Sequence, residues 1–452
     1  MSRFFVILTF SLVVIFYSQI NHEQEIVEHT QAALDAIERG RNNPLAIEQW
    51  LLREREPKSP PENPYLSDFN YMLNILYSGF PYFGIAERRY GINVDELINN
   101  TREALTDSFL DSDLFRQIVT INFTEPLNSI GHLRIESPEM IHLILANAIR
   151  GPVGYNGEYF DLGDREFSYW GELFTSVARS DAAKKYYGDI IIDLGNYESG
   201  MFLPNNLHMK IIENNIAYVR VERFWQYNIE NDKERLFAFY QEISDFEHLI
   251  IDLRGNPGGF TRYFVQLFMS PNIQNDLEFY INSLFKGGEN NMRWVEADVN
   301  DSILLHGRKR EIFTVNTYDF THINLDDLAV LDYISPHHVK ITSSGQNFFG
   351  GKIWLLVDAN SASAVEYAAL YSRASDFATI VGEPTRGLTG GGLAGFFVMP
   401  NTGLIVRYDI GYFIDSYGRA VDEFGVIPDI FNYDGMDALE TVVYVIKQNG
   451  GN

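Results

Sequence analysis

Residues 249–260 read LIIDLRGNPGGF, and residues 357–392 read VDANSASAVEYAALYSRASDFATIVGEPTRGLTGGG. The first opens on a short, nearly continuous apolar run and the second follows one, KIWLLVDA (352–359), the pattern of a strand buried on both faces. Each then breaks at a turn and passes into helical sequence. With IAYVRVERF (216–224), KERLFAFYQEISDF (233–246) and FATIVGE (377–383) they give strand, helix, strand in order. That order implies crossover units and a mainly parallel sheet, so the fold class is α/β. GLIVRYDIGYFID (403–415) reads as a hairpin partner, and GMDALETVVYVIKQ (435–448) as a closing helix.

The two turns carry the residues of interest. In the first, Gly258 and Gly259 let the backbone approach a ligand and aim N–H groups at it. An oxyanion would suit such donors. A plain connecting turn and a phosphate loop are the alternatives, although neither G-x-G-x-x-G nor a G-K-[ST] ending is present. In the second turn Ser363 sits where a helix begins, and the amide of Ala364 is placed to join the oxyanion donors. Ser363-x-x-Glu366 before an apolar run is equally a capping box.

Outward from these turns the chain divides into expected regions. Residues 1–20 contain Arg3 and an apolar run over 4–17, the shape of a signal peptide or membrane anchor. Export is therefore expected, with an extracytoplasmic protein either secreted or tethered through residues 4–17. Residues 21–150 read as helical, with a breaker at KSPPENP (58–64); 151–210 have no clear assignment; 211–452 form the core, with an insert at about 275–350. Phe285, Trp294 and Phe313 read as that insert's own small core. NLDDLAVLD (324–332) reads as a solvated helix face, DVNDS (298–302) as a turn, and His337-His338 as a loop.

The 452 residues are 46% hydrophobic and 14% aromatic, which is ordinary globular composition. A formal charge of −26 argues against nucleic-acid partners. The chain has no cysteine, so disulfides, thiolate metal sites and a cysteine nucleophile are excluded. It has no H-E-x-x-H and no EF-hand pattern, and no metal or cofactor is expected.

Taken in order, the RGNPGG turn, S-A-x-E at 363–366, VGEPT at 381–385 and GV-x-PD at 425–429 resemble family S41, the C-terminal processing (tail-specific) serine peptidases. The likeness extends to their tricorn-core and retinoid-binding-module relatives. It covers about 211–447, and 66–135 more loosely. It implies a crotonase-like (ClpP/crotonase) core of β-turn-α units preceded by an N-terminal helical domain, and hydrolysis of a peptide or protein substrate. It places the nucleophile on Ser363 and the oxyanion hole on Gly258, Gly259 and Ala364.

A serine needs a proton acceptor. The Ser/Lys branch takes its lysine from T-x-G-K, but here the segment is TRGL and Leu388 fills the place. Arg386 cannot replace it, because a guanidinium does not deprotonate at working pH. The tricorn-like branch uses a histidine that closes the front helical region, and His132 in NSIGHLRIES (128–137) matches it. That branch draws its acid from just before GV-x-PD, which points to Glu423, with Asp422 as rival. The expected triad is Ser363, His132 and Glu423. Gly131 stands where the tricorn-type arrangement has an auxiliary serine. The other readings are an inactive S41-like binding module for peptides or apolar ligands, which the missing lysine favours, and an acyl-CoA enzyme, which the acidic charge disfavours.

Overall fold

The computed structural model describes residues 63–106, 110–127, 130–150, 165–190, 202–213, 215–306, 309–315, 320, 322–389, 393–415 and 417–449. The expected leader and parts of the regions 21–150 and 151–210 lie outside the described residues.

The fold is mixed α/β, with a six-stranded central sheet. Its strands are β2 (Leu207–Glu213), β3 (Ile216–Val221), β4 (His248–Asp252), β8 (Lys352–Val357), β9 (Thr379–Gly382) and β13 (Ile430–Phe431), in the order β13-β9-β8-β4-β3-β2. All neighbours pair in parallel except β2, which runs antiparallel to β3. Alternation along the strands separates two cores. Ala217, Val219, Leu249, Ile251, Leu355 and Val357 face one side, with the helices Ile229–Glu242 and Ala364–Ala374. Tyr218, Ile250, Trp354, Leu356 and Val381 face the other, where the helix Ala438–Asn449 supplies Ala438, Val442 and Ile446. Side chains at successive strand positions point to opposite faces, so a run apolar at every position must be covered twice.

Two smaller sheets flank this one. β1 (Arg134–Ile135), β11 (Ile405–Asp409) and β10 (Ala394–Val398) form an antiparallel sheet in the order β1-β11-β10. β5 (Leu277–Phe285), β6 (Phe313–Thr314), β7 (Tyr333–Ile341) and β12 (Tyr412–Ile414) form another, in the order β12-β5-β7-β6. The segment 403–415 is therefore not one hairpin arm: β11 and β12 belong to different sheets.

The front helices share one core with these sheets. Phe69, Leu76, Phe115 and Phe123 cluster with Phe396, Ile405, Val406 and Tyr412. Phe285 and Trp294 join the same cluster, with Trp294 Nε1 donating to the Phe396 carbonyl at 2.9 Å. They are core side chains, as expected, but of a shared core. Three surface readings change. His337 and His338 lie on β7. Asp301 is inside the helix Glu289–His306 and accepts from the amides of Tyr169 and Trp170. Asp327 is buried and accepts from Arg88 and from Tyr412 Oη. For Asp301 and Asp327 a tertiary partner recruits a polar side chain that the local pattern leaves in a turn or assigns to solvent. No described helix is long and apolar enough to cross a membrane.

Candidate active site

The turns after β4 and β8 lie against each other. Asp252 takes both Arg254 Nε and Arg254 Nη2, fixing the start of the first turn. Asn256 bridges it: Nδ2 donates to the Val221 carbonyl at 3.0 Å, and Oδ1 accepts from the Gly258 amide at 2.8 Å. The second turn hangs on the first, since Ser361 Oγ donates to the Leu253 carbonyl and the Ala362 amide to the Asn256 carbonyl.

Gly258 has φ of 94°. A Cβ there would lie 2.6 Å from the Ala362 carbonyl oxygen and 2.8 Å from the Ala364 nitrogen. Gly259 has φ of 137°, and a Cβ would overlap the Phe224 carbonyl. Glycine is thus required twice, for backbone angle and for approach. Only part of the expected oxyanion set is free. The Gly258 amide is committed to Asn256. The amides of Gly259 and Ala364 have no hydrogen-bond partner among the described residues.

Ser363 precedes the helix Ala364–Ala374 with φ 57° and ψ −117°. A non-glycine residue held there costs about 1–3 kcal/mol. The strain is maintained by the backbone: its amide donates to the Leu388 carbonyl at 2.8 Å, and its carbonyl accepts from the Glu366 amide at 2.9 Å. The hydroxyl makes no capping bond. The capping-box reading fails on both sides, because the Glu366 carboxylate does not reach back to Ser363. It instead accepts from Thr385 Oγ1, the Gly387 amide (2.7 Å) and the Leu388 amide (3.2 Å). Burial pushes the Glu366 carboxyl up to about 7, against the pull of these donors and of Arg89.

His132 follows the Ile130-Gly131 turn with φ 44° and leads into β1. Its Nδ1 lies 2.5 Å from Asp409 Oδ2. The acid is set by strand register. Arg134 pairs with Arg407 and Ile135 with Val406, so two steps outward His132 faces Asp409. The Asp409 amide also donates to the Gly131 carbonyl at 2.8 Å. Asp409 is fully buried, and His132 is 14% exposed. Burial alone would raise the Asp409 carboxyl, but His132, Arg407 and Arg134 outweigh it and hold it below the ordinary value.

Glu423 is elsewhere. Its two oxygens accept from Arg88 Nε at 2.9 Å and Arg88 Nη2 at 3.0 Å. It ties the helix Phe83–Tyr90 to the helix Val421–Phe424 instead of orienting His132. Asp422, its rival, is buried and accepts from the amide and hydroxyl of Thr389. Burial raises it to about 7, and the nearby charges of Asp409 and Glu366 push the same way. Asp422 therefore lies within electrostatic reach of both halves of the site: Asp409 beside His132, and Glu366 under Ser363. No hydrogen bond joins Ser363 to His132 in the described residues. Sequence reasoning missed Asp409, since RYDIG carries no motif and only the pairing of β1 with β11 brings it to His132. No group of histidines and carboxylates among the described residues is arranged to hold a metal ion.

A serine whose hydroxyl is unbonded among the described residues, two amides beside it that are likewise unpartnered there, and a histidine backed by a buried carboxylate are parts that a hydrolase working through serine can use. Residues 215–431 match the model of peptidase family S41. This stretch, just under half of the chain, thus carries the pattern of a serine-type peptidase of family S41. The match includes Gly258, Gly259, Ser363, Asp409 and Glu423 but not His132.

No curated protein matches the chain. Among solved structures, it is similar to a putative peptidase from Parabacteroides merdae ATCC 43184, with 15% identity and a TM-score of 0.47 over 85% of this chain and 97% of that one. It is similar to mature CPAF complexed with lactacystin, with 14% identity and a TM-score of 0.46 over 85% and 97%. A lipoprotein from Streptococcus agalactiae gives 13% identity and a TM-score of 0.40 over 87% and 99%.

Proposed function

We propose that this chain is an exported serine endopeptidase with a crotonase-like core, working through Ser363, His132 and Asp409. The carrying observation is Ser363, whose backbone is strained and bonded at both ends while its hydroxyl makes no bond among the described residues. Asp409 takes the role that the motif pattern assigned to Glu423. As substrate binds, the Ser363 hydroxyl comes into reach of His132 Nε2, since catalytic hydrogen bonds commonly tighten only in the Michaelis complex.

Ser363 Oγ attacks the peptide carbonyl carbon as His132 Nε2 accepts its proton. The amides of Gly259 and Ala364 hold the oxyanion. The C–N bond then breaks as His132 returns the proton to the leaving amine, giving an acyl-enzyme. Water, deprotonated by His132, releases the acid and restores Ser363. Asp409 stays ionised throughout and keeps Nδ1 protonated. Backbone pairing as an added strand is the expected mode of peptide binding.

Labelling by a fluorophosphonate probe tests this reading. Wild type should label, and Ser363→Ala, His132→Ala should not; an unlabelled wild type, or equal labelling of Ser363→Ala, would overturn it. A second reading, a non-catalytic module binding peptides or apolar ligands, is favoured by Leu388 in the lysine position and by the missing Ser363–His132 hydrogen bond. Casein turnover separates the two. Export, with release or a tether through residues 4–17, rests on the sequence alone. Cell fractionation tests it, and a wholly cytosolic protein would refute it.

A further inference from the structure

The segment 385–389 passes beside Ser363 at the place where the lysine branch keeps its base. Here it carries Leu388, which is 8% exposed. It contributes a backbone group: the Leu388 carbonyl accepts the Ser363 amide at 2.8 Å. That bond helps hold Ser363 at φ 57°. What holds Leu388 is one side chain from the next turn of the helix that Ser363 begins. Glu366, fully buried, accepts from the amides of Gly387 and Leu388 and from Thr385 Oγ1. Thr385 Oγ1 in turn accepts from the Val426 amide at 2.6 Å.

The loop of bonds closes on itself: Ser363 to Leu388, Leu388 to Glu366, and Glu366 through one helical turn back to Ser363. We propose that Glu366 is a positioning residue for the acyl transfer at Ser363, acting through the Leu388 carbonyl, an inference that rests on the function proposed above. Without its carboxylate, two amides and a hydroxyl lose their buried acceptor, and the segment must shift to find water or other partners. The Ser363 amide would move with it. Other elements also face this cluster. Arg89, on the helix Phe83–Tyr90, donates to the Asp422 carbonyl, and its charge reaches Glu366. Tyr90 Oη contacts the Arg386 carbonyl at 3.4 Å. The Asp422 carboxyl fixes Thr389. These hold the far side of the segment and leave Glu366 as its support under Leu388.

The test compares fluorophosphonate labelling rates and peptide kcat and KM for Glu366→Leu and Glu366→Gln in the full chain. Glu366→Leu keeps volume and removes every acceptor. It should slow labelling and kcat by about 10- to 100-fold with KM within about threefold, as misplacement of reacting groups does. Glu366→Gln retains one oxygen for Gly387 and Leu388 and should recover most of the rate. Should the leucine variant not fold, Thr385→Val removes one arm of the support, and should slow labelling by about three- to tenfold. Wild-type rates in Glu366→Leu or Thr385→Val, a glutamine variant no faster than leucine, or a loss confined to KM would overturn the proposal. Unlabelled wild type would instead refute the serine-hydrolase reading itself.

Discussion

His132 Nδ1 lies 2.5 Å from Asp409 Oδ2, and the two residues are 277 positions apart in the chain. The contact exists because β1 and β11 pair in one register, with Arg134 opposite Arg407. It gives the imidazole a fixed tautomer, leaving Nε2 to exchange protons.

Asp409→Asn should therefore lower kcat/KM by about 100- to 10,000-fold, because an amide facing Nδ1 favours the wrong tautomer. Glu423→Gln should stay within a few-fold of wild type, since Glu423 serves Arg88. Steady-state peptide hydrolysis by the two variants decides between the acids. The reverse ranking would restore Glu423 as the catalytic acid.

Replacing Gly131 with serine, the auxiliary residue of the tricorn-type arrangement, should harm the protein. A Cβ at Gly131 would stand 2.5 Å from Phe80 Cε2 and 2.6 Å from Tyr82 Cδ2, and φ is 59°. A loss of about 2–4 kcal/mol is expected from overpacking and backbone strain. Urea unfolding measures it; unchanged stability with faster turnover would contradict this account.

Gly258→Ala should abolish labelling of Ser363. The added methyl would sit 2.6 Å from the Ala362 carbonyl and 2.7 Å from Ser363 Cβ. It would push apart the two turns that bring the oxyanion donors to the serine, for a loss above about 100-fold. Probe labelling of folded Gly258→Ala reports this, and a rate near wild type would show that the turns need not touch.

Glu366 and Asp422 should make the protein less stable as pH rises. Both folded values are raised to about 7, from ordinary values of 4.5 and 3.8. Between those limits the native state holds more protons than the unfolded chain, so stability is fully present below the unfolded values and is lost as pH climbs toward 7. The change is on the order of 3 kcal/mol per group. Denaturant midpoints at pH 5 and pH 8 should fall for wild type and flatten in Glu366→Gln and Asp422→Asn. An unaltered slope in both variants would show that neither carboxyl titrates in that window.

The sequence by itself determined the central sheet. Nearly continuous apolar runs at 249–253 and 353–357 have to be buried on both faces, and glycine or helix-starting residues have to follow them. That logic reached the two turns, Gly258, Gly259 and Ser363, because each is a local requirement of backbone angle and close approach. His132 came only from likeness to a family pattern. Asp409, the commitment of Glu423 to Arg88, and the support of Leu388 by Glu366 were decided by tertiary structure alone. They depend on which strands pair, in which register, and on which buried carboxylates must find donors. A carboxylate looks the same in a sequence whether it ends beside an imidazole, an arginine or a backbone amide; packing makes that choice.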